Sequence, residues 1–188
     1  MKSLKLLVVG LLLLAFGTAS AQTFTSDPAH THVVWRADHL GISYTFGRFN
    51  EITATLEYDA ANPEEGSIEF SILTESVDSV TERRDDHLRS PDFFDAAQFP
   101  TIDFASKNIT AVDDTNFEVV GDLTVHGVTQ EVTLNVEKTG EGQNQNGDAL
   151  VGFYTEFTID RTEYGMNNLL QATGPEILIM ASFEGVAQ

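Results

Sequence analysis

The sequence predicts an all-β chain of eight or so antiparallel strands around one interior, interrupted once by a short helix near residues 80–95. Three observations predict it. Apolar and polar residues alternate with period two over most of the chain, which gives each strand one apolar face. Clusters of Asn, Asp, Pro and Gly separate the alternating runs, as turns require. Ser79 to Ser90 alone breaks the alternation and reads at helical spacing. Strands with one apolar face must share an interior. A closed barrel also removes exposed edges, while a two-sheet sandwich satisfies the same periodicity.

Met1–Lys5 is a short basic start, Leu6 to Gly17 an apolar run, and Ala19-Ser20-Ala21 a small-x-small cleavage site. This is the pattern of a cleaved secretory signal peptide over residues 1–21, and the run is too short to span a bilayer. Residues 22–188 then form the mature domain, in the periplasm or secreted. With no Cys, neither a disulfide nor a lipidated cysteine is expected, so the domain is held by its core alone.

The strands follow in order. Val33, Trp35 and Ala37 alternate with Val34, Arg36 and Asp38; Ile52, Ala54, Leu56 and Tyr58 with Thr53, Thr55 and Glu57. Ile68, Phe70 and Ile72 make the next run, after the turn Asn62-Pro63-Glu64-Glu65-Gly66. In the helical stretch, Val80, Arg84, His87 and Leu88 fall on one face,. Ser79 is the expected N-cap, Glu82 its capping-box partner, Asp85 and Arg89 an i,i+4 pair, and Pro91 the stop,. Ile102 and Phe104 resume the alternation. Phe117, Val119, Gly121, Leu123 and Val125 lead into His126-Gly127, short enough for a tight hairpin to Val132, Leu134 and Val136,. Val151, Phe153, Phe157 and Ile159, then Ile177, Ile179, Ala181 and Phe183, complete the set.

Charge limits the function classes. The formal net charge is −19, and removing residues 1–21 takes away Lys2 and Lys5 but no acid. Such a surface repels nucleic acid and anionic membrane. No second hydrophobic run suggests an integral span. No G-x-S-x-G, H-E-x-x-H, Walker loop or G-x-G-x-x-G is present, and no spacing couples Ser, His and Asp, so a non-enzyme without a cofactor is expected. His30-x-His32 would place two imidazoles on one strand face, a spacing zinc accepts. A metal-binding module or metal-dependent enzyme using His30 and His32 is therefore the alternative. Small or polar residues on the inner faces, among them Ala37, Ala54, Thr74, Gly121 and Ala181, either leave room for an apolar ligand or fit the taper of a filled barrel. Arg83, Arg84 and Arg89, with His87 between them, form a basic cluster in an acidic chain, where an anionic head group would be drawn.

Several stretches resemble the YceI-like family of bacterial periplasmic proteins: Asp27-Pro28-Ala29-His30 with Val33-Val34-Trp35 and His39-Leu40-Gly41; Gly47-Arg48-Phe49; Arg84 through Asp95 with Phe99-Pro100-Thr101-Ile102; Val120 through Leu134; and Asp160-Arg161 to Tyr164-Gly165. The resemblance covers residues 23 to 186 in order; His32 departs from it. It implies an extended, lipocalin-like, eight-stranded antiparallel barrel with a helical insertion. It also implies a long isoprenoid, a quinone or another amphiphilic lipid in an apolar cavity, and no established reaction. On this reading Trp35, His39, Tyr44, Phe70, Phe94, Phe104 and Leu123 contact the ligand, and Arg84 and His87 lie near its polar head. A homodimer is compatible with it.

Overall fold

The structure, a computed structural model, describes residues 21–188. The signal-peptide reading falls on residues 1–20 and so lies outside the described residues. The strands are β1 (Gln22–Ser26), β2 (His32–His39), β3 (Ser43–Phe49), β4 (Ile52–Tyr58), β5 (Ser67–Leu73), β6 (Val77–Asp78), β7 (Thr101–Ala111), β8 (Asn116–Val125), β9 (Val128–Gln143), β10 (Ala149–Asp160) and β11 (Glu176–Ala187). Helix α1 (Glu82–Arg89) lies between β6 and β7, and the single turn α2 (Leu170–Thr173) precedes β11.

All neighbouring strands run antiparallel, and the ring β1-β4-β5-β7-β8-β9-β10-β11 closes where β1 pairs with β11. This eight-stranded barrel excludes the sandwich. The closing edge of β11 is divided. Its last residues pair with β1 (Phe24↔Ala187), and its first half pairs with β2 (Ile177↔Ala37 to Ser182↔His32). β3 and the short β6 continue the sheet from β2. No long edge of this ring is left to pair with another chain.

The inner face follows the period-two reading. Phe24, Val33, Trp35, Ala37, Ala54, Leu56, Val119, Leu123, Val151 and Phe183 are all buried. They form two packed clusters, one around Trp35 next to α1 and one around Tyr58, Phe117 and Phe153 at the opposite end. The β8–β9 connection is the two-residue hairpin expected, with φ of +51° at His126 and +73° at Gly127. Two left-handed residues match the twist of the flanking strands, and His126 is fixed there by a 3.0 Å bond to the Tyr164 carbonyl.

The helix departs from expectation in its first turn. Ser79 is not the N-cap. α1 begins at Glu82, with Thr81 in the capping position and no side-chain cap bond. Asp85, buried, instead reaches back across the turn and accepts from both the backbone N–H and the hydroxyl of Ser79. Asp78 accepts from the N–H of Val80 at 2.9 Å. These two carboxylates hold Val80 at φ +64° and leave its side chain 93% exposed, so Val80 is off the helical face. With Asp85 committed to Ser79, Arg89 pairs with Asp86 at 3.2 Å rather than with Asp85.

Candidate functional site

The interior holds three chambers in line. The largest, about 270 Å³, lies under α1. Its wall includes Trp35, Ala37, Phe49, Leu88, Phe94 and Ile102, and its rim includes His39, Arg84, His87 and Leu169. The second, about 120 Å³, is lined by Phe70, Ile102, Phe104, Leu123 and Phe157, among others. Ile102 belongs to both walls. The third, about 40 Å³, shares Ile68, Val119, Val136 and Phe153 with the second and ends at Leu56 and Tyr58. Hydrocarbon surface thus continues from the helical end deep into the barrel.

The far end is stoppered. The Tyr58 ring meets Phe153 edge-on at 5.6 Å, and its hydroxyl lies 3.3 Å from Glu141 and 3.2 Å from Lys138, which themselves pair at 3.0 Å. Burial pushes the Tyr58 hydroxyl above its ordinary pKa, so it stays neutral in this plug. The end under α1 is different. His39, Arg84 and Leu169 line the chamber and also reach solvent, so this end is the mouth.

Trp35 sits on β2 directly opposite Gly47 of β3. A Cβ at Gly47 would overlap the six-membered part of the indole, so only glycine lets the ring lie flat against the neighbouring strand. The indole N–H is buried and has no hydrogen-bond partner. Buried donors are nearly always paired, and this one stands in a chamber wall.

The mouth carries two arginines of different kinds. Arg84 bonds the Ser79 hydroxyl and carbonyl and the Thr81 hydroxyl, and among the described residues it has no carboxylate partner. Arg161, which sequence reasoning did not single out as a site residue, is 3% exposed. It donates to the carbonyls of Gly174, Met166 and Asn168 at 2.7–2.9 Å and to the Thr173 hydroxyl, and its guanidinium lies 5.7 Å from the Phe93 ring centroid. Burial lowers its pKa, although neighbouring Asp160 opposes this. It is held by backbone dipoles rather than by an acid, so its charge is not cancelled at close range. His87 is tied to Asp92 at 2.9 Å and meets the Phe93 ring edge-on at 5.0 Å.

The residues expected to contact a ligand divide as follows. Trp35, His39, Arg84, His87 and Phe94 line the mouth chamber, and Phe70, Phe104 and Leu123 the second. Tyr44 is a correction. On β3, Thr45 and Gly47 stand opposite Ala37 and Trp35 and share their inner face, whereas Tyr44 stands opposite Asp38. Tyr44 is therefore outside, with the Arg36 guanidinium 4.2 Å from its ring centroid. The pair His30 and His32 is not assembled either. His30 lies in the β1–β2 turn, 3.3 Å from Asp27 and 3.5 Å from Glu184, and these three form a compact group that does not include His32. His32, exposed, opens β2. The turn places the two imidazoles off any common strand face.

Fold and cavity together define the class: a closed, hollow antiparallel barrel with one open end. The chain belongs to the YceI-like family, whose domain model matches residues 24–185. It is 35% identical over 185 residues to the UPF0312 protein of Shewanella denitrificans, covering 97% of this chain and 96% of that one. The crystal structure of BcnA from Burkholderia cenocepacia superposes with a TM-score of 0.78 at 23% identity, over 85% of this chain and 98% of that one. A domain from Saccharophagus degradans, described as polyisoprenoid-binding, superposes with a TM-score of 0.69 at 13% identity, over 90% and 100% of the two chains. Both likenesses confirm the barrel.

Proposed function

We propose that this protein is a non-catalytic carrier or sequestering protein for an isoprenoid or comparable long-chain amphiphilic lipid, exported to the periplasm or secreted. One observation carries the reading: apolar chambers run in line along the barrel from a mouth bearing Arg84, Arg161, His87 and an unpaired Trp35 N–H. That arrangement suits a molecule with one polar end and a long hydrocarbon tail. Head-group oxygens would meet the arginines and the indole N–H. The tail would displace Phe70 and Phe104 as it passes toward Tyr58. The polyisoprenoid-binding description of the Saccharophagus degradans domain supports the choice of lipid. The pattern at the N-terminus of the sequence supports export,.

Trp35 is the sole tryptophan, so its emission reports the mouth chamber. Titration with a polyprenyl pyrophosphate and with the corresponding polyprenol should shift the emission in both cases. Arg84→Ala should weaken the pyrophosphate by about tenfold, the scale of one charge-assisted hydrogen bond, and leave the alcohol unchanged. Equal losses for both ligands would make Arg84 a structural residue, and no emission change with either would remove Trp35 from the binding site.

A further inference from the structure

We propose that Asp27, His30 and Glu184 together bind one divalent transition-metal ion of the zinc class on the outer wall of the barrel. The site is independent of the lipid-carrier reading, since none of the three residues lines any of the three chambers. Three observations carry it.

The first is the donor set and its spacing. The Asp27 and Glu184 carboxylates and the His30 imidazole offer three ligand atoms that all lie within 4.8 Å of one another. His30 Nδ1 is 3.3 Å from Asp27 Oδ2 and 3.5 Å from Glu184 Oε1. Both contacts are longer than an ordinary N–H···O bond, whereas His87 meets Asp92 at 2.9 Å. Two donors about 2.0–2.1 Å from a tetrahedral zinc stand about 3.3 Å apart, so the separations at His30 match those of ligands sharing one ion. One imidazole with two carboxylates is a set that zinc accepts. The nitrogen selects against magnesium and calcium, which take oxygen donors.

The second is how the donors are held. Asp27 and His30 lie in the β1–β2 turn. The Ala29 N–H donates to Asp27 Oδ1 at 2.7 Å, which leaves Oδ2 facing His30. The N–H groups of His30 and Thr31 both donate to the Asp27 carbonyl, at 3.2 and 2.9 Å, so the turn is closed on itself. It is also fastened to β11. The Asp27 N–H donates to the Glu184 carbonyl at 2.8 Å, and the buried Thr31 hydroxyl lies 3.3 Å from both the N–H and the carbonyl oxygen of Glu184. Hydrogen bonds of this kind behind the donors orient ligands before an ion arrives.

The third is the place. β11 pairs with β1 as far as Ser26↔Gly185 and with β2 from His32↔Ser182, so Glu184 stands where the strand changes partner. Phe183 is buried inside the barrel, which puts Glu184 on the outer face. His30 is exposed and the two acids are half-buried, so water can complete the coordination. An ion held here would clasp the β1–β2 turn to β11 across the split in the closing seam. The net charge of −19 favours it, because an acidic protein raises the local concentration of cations.

The test is calorimetric titration of the mature protein, first dialysed against a chelator, with zinc chloride in the presence of excess magnesium. The magnesium occupies sites that are merely acidic. The expected result is one equivalent of zinc bound. His30→Ala and Glu184→Gln should each weaken it by about tenfold or more, at least what loss of an outer-shell partner costs a metal site. His32→Ala should leave it unchanged, because His32 is outside the group. Trp35 emission checks that each variant is folded. Cobalt chloride gives a second readout: its visible absorption should change on binding to the wild-type protein and not on mixing with His30→Ala. Absence of saturable zinc binding by the wild-type protein under magnesium would overturn the proposal and return the three residues to a surface ion pair. So would His30→Ala binding zinc as tightly as the wild type, or a His32→Ala loss as large as that of His30→Ala.

Discussion

Trp35 concentrates the chemistry of the mouth. Its ring is packed against Gly47 and its N–H is unpaired, so removing the N–H should not weaken the empty protein. Trp35→Phe should change unfolding free energy by less than about 1 kcal/mol, because no hydrogen bond is lost and most of the apolar area is kept. The same variant should bind an oxygen-headed lipid less tightly, as measured by calorimetric titration. Gly47→Val places branched methyls where the indole lies, and chemical denaturation should show a loss of about 1–3 kcal/mol. Asp113 offers a separate check far from the site. The Thr115 N–H, first, and then the Asn116 side chain and N–H hold its carboxyl at about 2. A folded-state pKa below the unfolded one gives stability that is present above the unfolded value and lost as pH falls through the folded one. The stability deficit of Asp113→Ala should accordingly be present at neutral pH and should disappear between about pH 4 and pH 2, followed by thermal melts across that range. At this scale the sequence was partly legible. Trp35, Phe70 and Leu123 fall on the inner face because alternation with period two places them there. Tyr44 did not yield to that rule, because β3 carries large apolar groups on both faces: Phe49 inside, Tyr44 and Phe46 outside. Arg161 was read as part of a motif and not as a site, because nothing local says that it is buried against carbonyls of the residues that follow it.

The elements over the mouth are held by side chains that reach backward or forward a few residues. Asp85 ties the first turn of α1 to Ser79, and Arg89 ties its last turn to the carbonyls of Glu75 and Val77. Arg161 gathers the segment from Met166 to Gly174. Asp85→Ala leaves the Ser79 donors without their acceptor in a buried position, and denaturant unfolding should show a loss of about 1–3 kcal/mol. It should also raise amide exchange in α1 while leaving β8 and β9 protected, since the helix is a short insertion and those strands are paired on both sides in the ring,. The existence of this helix, its approximate span and its stop before Pro91 were legible from spacing alone. Its start was not. The Ser79 and Glu82 spacing of a capping box is present, but Asp85 takes the Ser79 N–H and Asp78 the neighbouring Val80 N–H, and the N-cap position moves two residues downstream to Thr81. Competition of that kind depends on which carboxylate is buried, and burial is a property of the assembled barrel.

At the scale of the molecule, alternation and turn chemistry prescribe strands and a shared interior, but they do not distinguish barrel from sandwich. Resemblance to the YceI-like family supplied that choice, and the β1–β11 pairing shows it. Whether the interior is filled or hollow was equally out of reach of periodicity, because small inner residues serve both designs. The structure answers with chambers graded from about 270 Å³ at the mouth to about 40 Å³ near Tyr58, a shape that narrows toward a plugged end. The acidic average was legible and holds at the mouth as well, where Glu75, Asp78, Glu82, Asp85, Asp86, Asp92 and Asp95 accompany Arg83, Arg84 and Arg89. The central claim is that this barrel carries a long-chain lipid, and native mass spectrometry of protein purified from its own exporting cell, followed by extraction and identification of the released material, tests it most directly. The account predicts a mass above that of the mature chain by one amphiphile with a long hydrocarbon tail, recovered in the organic extract. A clean mass of the mature chain alone, with no extractable lipid, would contradict it.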